Sequence, residues 1–342
     1  MKTIQRRAPA LAAAAALATL VGCATGPTEP PASAASVASV AHHVSRASAL
    51  AGEDLQYLMP VCNPQPAQCA AGPEIEALLQ RMIARPAPAP AQVFDNLYYV
   101  GSAWVSAWVL RTSEGLILID ALNNAAEAQA LIEGGMKTLG LDPAQIKYLV
   151  ITHGHGDHYG AATALVRKYG VRLVASEIDW QMMQTTLEFD AVSWDRPPRR
   201  GPRDIGVKDG DTLTLGDTTI GFNVTPGHTL GTLSPVFDVR TRGQTHRALM
   251  WGGTAFNFGR DMQRLQSYIG ETERMRKLVA DQHVDVLLSN HPGSDGTVDK
   301  VARLQLASPV HPFVGGQATV DRGLQVLGEC ARAQRDRFLS DT

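Results

Sequence analysis

The chain has 342 residues, 44% of them hydrophobic and 19% charged, which is enough apolar material for a large buried core and excludes an intrinsically disordered chain. Its formal net charge is −2 with both signs interspersed, so no basic field exists to gather nucleic acid or an anionic membrane surface. A small-molecule substrate is the better match to such a surface.

Residues 1–22 begin with Lys2, Arg6 and Arg7, continue in an alanine-rich apolar run from Ala8 to Val21, and end just before Cys23. A basic start followed by so short an apolar run reads as an export signal, too short to span a bilayer comfortably. The ending Leu20-Val21-Gly22-Cys23 resembles the lipobox of bacterial lipoproteins, which implies acylation of Cys23 and a membrane contact through lipid alone. With Ala24 rather than aspartate next, the expectation is a periplasmic protein anchored to the outer membrane.

From Ala24 to about Ala41 the chain is mostly Pro, Ala, Ser and Thr, a composition that reads as a tether. Residues 44–60 and 74–84 carry helical spacing, and the Arg85–Pro90 run RPAPAP then stops any helix. Residues 23–91 are therefore read as tether and helical extension, and 92–342 as the catalytic domain. If Cys23 is acylated, Cys62, Cys69 and Cys330 remain. Cys62 and Cys69 share a proline-rich loop and are expected to pair in an exported protein, leaving Cys330 as a buried thiol on a helix. No two cysteines stand at metal-ligand spacing, which argues against a structural zinc knuckle.

Strands are expected at Leu97–Gly101, Val105–Arg111 and Leu116–Asp120, then a helix at Ala125–Leu139, a strand at Tyr148–Thr152, a helix at Tyr159–Tyr169 and a strand at Arg172–Ala175. An irregular Trp-, Arg- and Pro-rich loop covers about Ser193–Arg203. Strands recur at Thr212–Leu215, Thr218–Val224, Leu233–Val239, Arg247–Trp251 and Val284–Ser289, with helices at Arg260–Asp281, Thr297–Leu306 and Gln317–Phe338. Two strand-rich halves flanked by helices imply a layered α/β architecture.

Immediately after the strand at Tyr148–Thr152 comes His153-Gly154-His155-Gly156-Asp157-His158. His153 and His155 can point the same way from extended backbone, whereas Asp157 and His158 lie beyond a glycine where the chain turns into a helix. Two pairs aimed differently suit two metal ions. Catalytic zinc typically takes three protein ligands and a water, so each site needs a further donor. His228, after Thr225-Pro226-Gly227, and His291, before Pro292-Gly293, both follow apolar strands in tight turns and are the strongest recruits. His42 and His43 fall in or near the tether, His246 in a polar turn and His283 at a helix end; His311 reads as structural.

These motifs resemble the metallo-β-lactamase superfamily: Leu118-Ile119-Asp120, THGHGDHYG from Thr152, TPGHT from Thr225 and SNHPG from Ser289. The resemblance implies a four-layer αββα sandwich with the metals at one edge between two sheets. It implies two Zn2+ ions, the first held by His153, His155 and His228, the second by Asp157, His158 and His291, with Asp120 supporting the site from behind. Members with a metal-bridging aspartate place it between the last two histidines, and other β-lactamases place a cysteine there. Here Trp251-Gly252-Gly253-Thr254 stands at that point, so the pattern is most similar to class B β-lactamases of subclass three, as is the C-terminal HPFV…GECARA. That subclass usually carries serine where Gly252-Gly253-Thr254 stands. The implied activity is opening of a β-lactam by a dizinc-bound hydroxide, oriented by Asp157, with Thr254 and Asn257 contacting the substrate. Hydrolysis of another ester, lactone or thioester is the alternative, and a zinc-binding lipoprotein without turnover the third reading. The sequence leaves the oligomeric state open.

Overall fold

The computed structural model describes residues 34–68, 73–306 and 308–340. The expected export signal, the expected lipid-anchor position Cys23, and Cys69 lie outside the described residues. Among those described, no helix is long and apolar enough to cross a membrane.

Two sheets form the centre. The first is seven-stranded in chain order: β1 (Ala91–Phe94), β2 (Leu97–Tyr99), β3 (Trp108–Thr112), β4 (Gly115–Ile119), β5 (Ile146–Val150), β6 (Arg172–Ser176) and β7 (Ile205–Val207). Its first four strands form an antiparallel meander, and β4 to β7 run parallel. The second sheet contains β8 (Thr212–Leu215), β9 (Thr218–Val224), β10 (Leu233–Thr241), β11 (Gln244–Trp251) and β12 (Val286–Ser289), with only the β11–β12 pair parallel. The helices are α1 (Ala34–Ala51), α2 (Pro73–Ile83), α3 (Ala125–Ala128), α4 (Gly134–Thr138), α5 (Gly156–Tyr159), α6 (Ala162–Tyr169), α7 (Glu177–Gln184), α8 (Met262–Asp281), α9 (Thr297–Leu304) and α10 (Gln317–Ser340).

Strand alternation shows how the layers stack. In β4, Ile117 and Ile119 face the second sheet across a core shared with Phe222, Phe237 and Met250, while Leu116 and Leu118 face helices α2, α3, α4, α6 and α7. In β11, Ala248 and Met250 enter the same inter-sheet core, and Leu249 and Trp251 face α1, α8 and α10. Strands buried on both faces need continuous apolar runs, which is why ILID and ALMW read as strands. The result is the αββα sandwich of the metallo-β-lactamase fold.

The N-terminal region departs from its expected form. Helix α1 begins at Ala34, inside the stretch read as a tether, because Ala47 and Ala51 bury against α10, and tertiary packing outweighs an unpromising local composition. It ends at Ala51, where Gly52 takes φ +52°, and a 3-10 turn follows over Gln56–Cys62. The expected pairing of Cys62 with Cys69 is overturned: Cys62 is bonded to Cys330, with a Cα separation of 4.4 Å. Cys330 is therefore no free thiol; it fastens α10 to the extension. The helix expected over Ala125–Leu139 is interrupted by a π segment, Gln129–Glu133, before Gly134-Gly135. Gly135 packs closely there: a Cβ would sit 3.1 Å from side-chain atoms of both Pro90 and Val100, which would have to give way slightly. Strands β1 and β7 and helix α7 add to the elements expected from the sequence, each too short to show a clear period.

Candidate metal centre

All six expected ligands gather at one edge of the sandwich, on loops leaving β5, β9 and β12. Backbone bonds lock these loops across the sheets: Leu233 N donates to Thr152 O at 2.7 Å, and Ser106 N to Asn290 O at 2.8 Å. In the loop after β5, Gly156 is fixed by packing, since a Cβ there would lie 2.5 Å from the Trp194 ring, whereas one on Gly154 would meet chiefly the flexible end of Met182, at 2.4 Å. Chain reversal at Gly156 then starts α5, which carries Asp157 and His158.

The inward-facing atoms form two adjacent groups. His228 Nε2 lies 3.0 Å from His153 Nε2 and 3.1 Å from His155 Nδ1. In the other group His158 Nε2 lies 3.2 Å from His291 Nε2 and 3.3 Å from Asp157 Oδ2, which is 3.6 Å from His291 Nε2. Ligand atoms of His153, Asp157 and His158 also lie within 4.8 Å of one another, so the groups abut at His153. Donors on one tetrahedral zinc, at about 2.0–2.1 Å each, stand about 3.3 Å apart.

Outward-facing nitrogens show which tautomer each ring holds. His153 Nδ1 donates to Gly252 O at 2.9 Å, His228 Nδ1 to Ala255 O at 2.9 Å and His291 Nδ1 to Trp104 O at 2.7 Å. His158 Nδ1 meets Asp120 Oδ2 at 2.8 Å, and His155 Nε2 meets Glu188 Oε2 at 3.3 Å. Each ring thus gives its proton outward to an oxygen and turns its other nitrogen inward. Burial and the neighbouring rings hold His153, His228 and His291 below the usual imidazole pKa, the first two far below. Neutral lone pairs 3 Å apart repel unless a cation lies between them, so this donor set fits a metal ion. Burial works against charge in the other group, but Asp157 and Asp120 outweigh it and raise His158 to about 10. Asp157 is likewise held well below the carboxylate range by His158 despite its burial. In the ion-free cluster a proton on His158 balances Asp157, and a bound cation takes its place.

Asp120 does more than meet His158: its oxygens accept from Thr152 N and Thr152 Oγ1, both at 2.8 Å. It holds this position with φ +62°, in the left-handed region. Gly252 and Gly253, which stand where the resemblance implies serine, have a packing cause: their Cβ atoms would meet Leu233 O at 1.8 Å and His228 Cβ at 2.5 Å. Thr254 and Asn257 both line the cavity above the donors, which also takes in His155, Asp157, His228 and His291 and has a volume of about 530 Å³.

Two carboxylates, the buried Asp179 and the more exposed Glu188, join the site without any sign of it in the sequence. Glu188 accepts from Arg264 at 2.9 and 3.2 Å, and Arg264 also donates to Gly227 O and His228 O, tying the loop of residues 185–204 to the His228 turn. Asp179 accepts from Gly154 N at 2.8 Å, Thr229 Oγ1 at 2.8 Å and Gly231 N at 3.0 Å, joining the two histidine loops. Neither has a local signal, because both work through residues 25 to 76 positions away.

The sequence profile described as the metallo-beta-lactamase superfamily matches residues 105–241, up to the end of β10. Over those residues the chain carries a metallo-beta-lactamase superfamily domain. Among solved structures of that fold it is similar to BJP-1, a subclass B3 metallo-beta-lactamase of Bradyrhizobium japonicum, at 27% identity and TM-score 0.58, over 70% of this chain and 90% of that one. It is also similar to native FEZ-1 metallo-beta-lactamase of Legionella gormanii, at 22% identity and TM-score 0.59, over 70% of this chain and 92% of that one. A hydroxyacylglutathione hydrolase of Rhodopseudomonas palustris is 32% identical over 111 residues, 32% of this chain and 34% of that protein. The chain thus spans about a third of the length of that curated relative. The matched domain contains five of the six expected ligands, His153, His155, Asp157, His158 and His228.

Proposed function

We propose that this chain is a metallo-hydrolase that holds two zinc ions and opens β-lactam rings in the periplasm. The observation that carries the reading is the division of donors into His153, His155 and His228 on one side and Asp157, His158 and His291 on the other, with no carboxylate of the β11 loop between them. Subclass B3 neighbours support the same reading. When bound, the ions would supply Lewis acidity and a water acidified toward neutrality. Asp157 stays ionised at neutral pH and lines the cavity floor, so it serves as an acceptor that orients a proton of the attacking water. Thr254 and Asn257, on the adjoining wall, supply polar groups for the substrate's carbonyl or carboxylate. Trp104, Phe189 and Trp194 shield the reacting bond from bulk water.

Thioester or lactone hydrolysis is the second reading, favoured by the likeness to hydroxyacylglutathione hydrolases. One zinc-loaded preparation assayed on a carbapenem, a cephalosporin, an acyl-homoserine lactone and a glutathione thioester decides between them. Much faster turnover of the lactone or thioester than of any β-lactam defeats the lactamase reading. Export and anchoring belong to the same proposal, and the Cys62–Cys330 disulfide supports an oxidising compartment. Cys23→Ser is expected to move the protein from the membrane to the soluble fraction, and unchanged fractionation would remove lipid as the anchor.

A further inference from the structure

The N-terminal extension crosses the outside of the sandwich from one helical layer to the other. Its 3-10 turn, Gln56–Cys62, packs with α10 against the second sheet, whereas α2 packs with the helices of the first. Both flank the metal edge. Tyr57 and Val61 from the turn, Ile75 and Leu79 from α2, and Val192 and Trp194 from the loop of residues 185–204 line the same cavity as the metal donors.

The walls are braced on both sides. The turn is held by Cys62–Cys330, by Gln65 N donating to Gln334 Oε1 at 3.0 Å, by Gln334 Nε2 donating to Gln65 O at 2.9 Å, and by Arg337 donating to Cys62 O at 2.9 Å. Helix α2 is held to the opposite loop by Glu76, which accepts from Val192 N at 3.0 Å and from Ser193 Oγ. A gap kept open by this many bonds is preformed, which is what a ligand pocket requires. Its lip is apolar without being covered: Val192 is 90% exposed, a position where an apolar side chain gains nothing from the fold itself.

Charge limits what can enter. The charged lining apart from the metal ligands is Glu76, Glu188 and Asp190 against Arg85 alone. Glu76 and Glu188 are occupied by the bonds already described, and Asp190 pairs with Arg196 at 2.7 Å on the surface. What is left without an opposite charge on it is Glu76 against Arg85, so the lining offers no net field that would favour a charged group.

We propose that this arm of the cavity is a substrate subsite for an uncharged acyl chain, carried on the side of the substrate away from the scissile bond. It rests on the hydrolase reading for the reacting end, but specifies the other end independently. N-acyl-homoserine lactones and 6-acylaminopenicillanates, each with butanoyl and decanoyl tails, combine two scissile heads with the same two tails. For zinc-loaded protein kcat/KM should rise by about threefold per added methylene on whichever head is cleaved, the effect of partial burial of each methylene. Quenching of tryptophan fluorescence, to which Trp104 and Trp194 contribute, should show the same order of affinities without turnover. In Ile75→Glu and the surface variant Val192→Glu the decanoyl-to-butanoyl ratio should collapse toward one, with Tm and zinc content reporting on the fold. A flat chain-length profile in the wild type, in both kcat/KM and binding, overturns the subsite while leaving the hydrolase reading intact. Hydrolysis of neither head defeats the hydrolase reading, and the fluorescence titration then decides the subsite alone. Preference for a tail ending in a carboxylate overturns the uncharged assignment.

Discussion

At the residue scale, the site depends on side chains that cannot be exchanged independently. His291→Ala removes one of three donors from the group completed by Asp157 and His158, and two donors make a poor zinc site. Metal analysis of that variant should fall from about two zinc ions per chain to about one, with His153, His155 and His228 still occupied. On the proposed reading, in which the second ion would act on charge that develops in the transition state, turnover should drop by orders of magnitude with a smaller change in KM. Equal loss from both sites would mean that the ions share a ligand. Gly156→Ala tests packing rather than ligation. Trp194 cannot swing away from the new methyl without breaking the bond from its indole Nε1 to Asn123 Oδ1, 2.9 Å long. The variant should lose about 1–3 kcal/mol in chemical denaturation, and an unchanged midpoint would show that the loop moves freely. Local spacing made the histidine motif legible, since three rings and a carboxylate crowded into six residues rarely occur without a metal to hold. Glu188 and Asp179 were illegible because each acts on partners brought near only by the fold.

At the element scale, the sequence displayed the strands buried on both faces as apolar runs, but it concealed α1. Alanine and serine dominate its first half, and only contact with α10 gives the helix a buried face. The disulfide was concealed for a related reason: nearness in sequence favoured Cys69, but connectivity depends on which cysteines the packed elements bring together. Cys62 and Cys330 are 268 positions apart, so the bond closes almost the whole described chain into one loop. Cys330→Ser should therefore destabilise the protein by about 2–4 kcal/mol, measured as a lower denaturation midpoint, and reducing agent should produce a similar loss in the wild type. A variant as stable as the wild type, or a wild type indifferent to reductant, would show that the extension is held by Gln334 and Arg337 alone.

On the scale of the whole molecule, the metal centre links parts that have separate reasons to fold. Its candidate ligands leave β5 of the first sheet and β9 and β12 of the second, so bound ions would connect both sheets at one edge. The sandwich has an apolar core of its own besides them, with Ile119, Phe237 and Met250 between the sheets and Leu118 and Leu249 under the helical layers. Zinc removal by a chelator should accordingly leave the far-UV circular dichroism spectrum near native while abolishing hydrolysis. Stability should still fall, since a ligand that binds only the folded state adds about 4 kcal/mol at a thousandfold excess over its Kd. In a domain of this size that is a fall in Tm of roughly 10 °C, reversed when zinc is added back. The His291→Ala protein should show a smaller fall, because only one group of donors remains to be emptied. Collapse of the spectrum on chelation would mean that the ions hold the sheets together, and an unchanged Tm after complete zinc removal would place the metal ligands elsewhere.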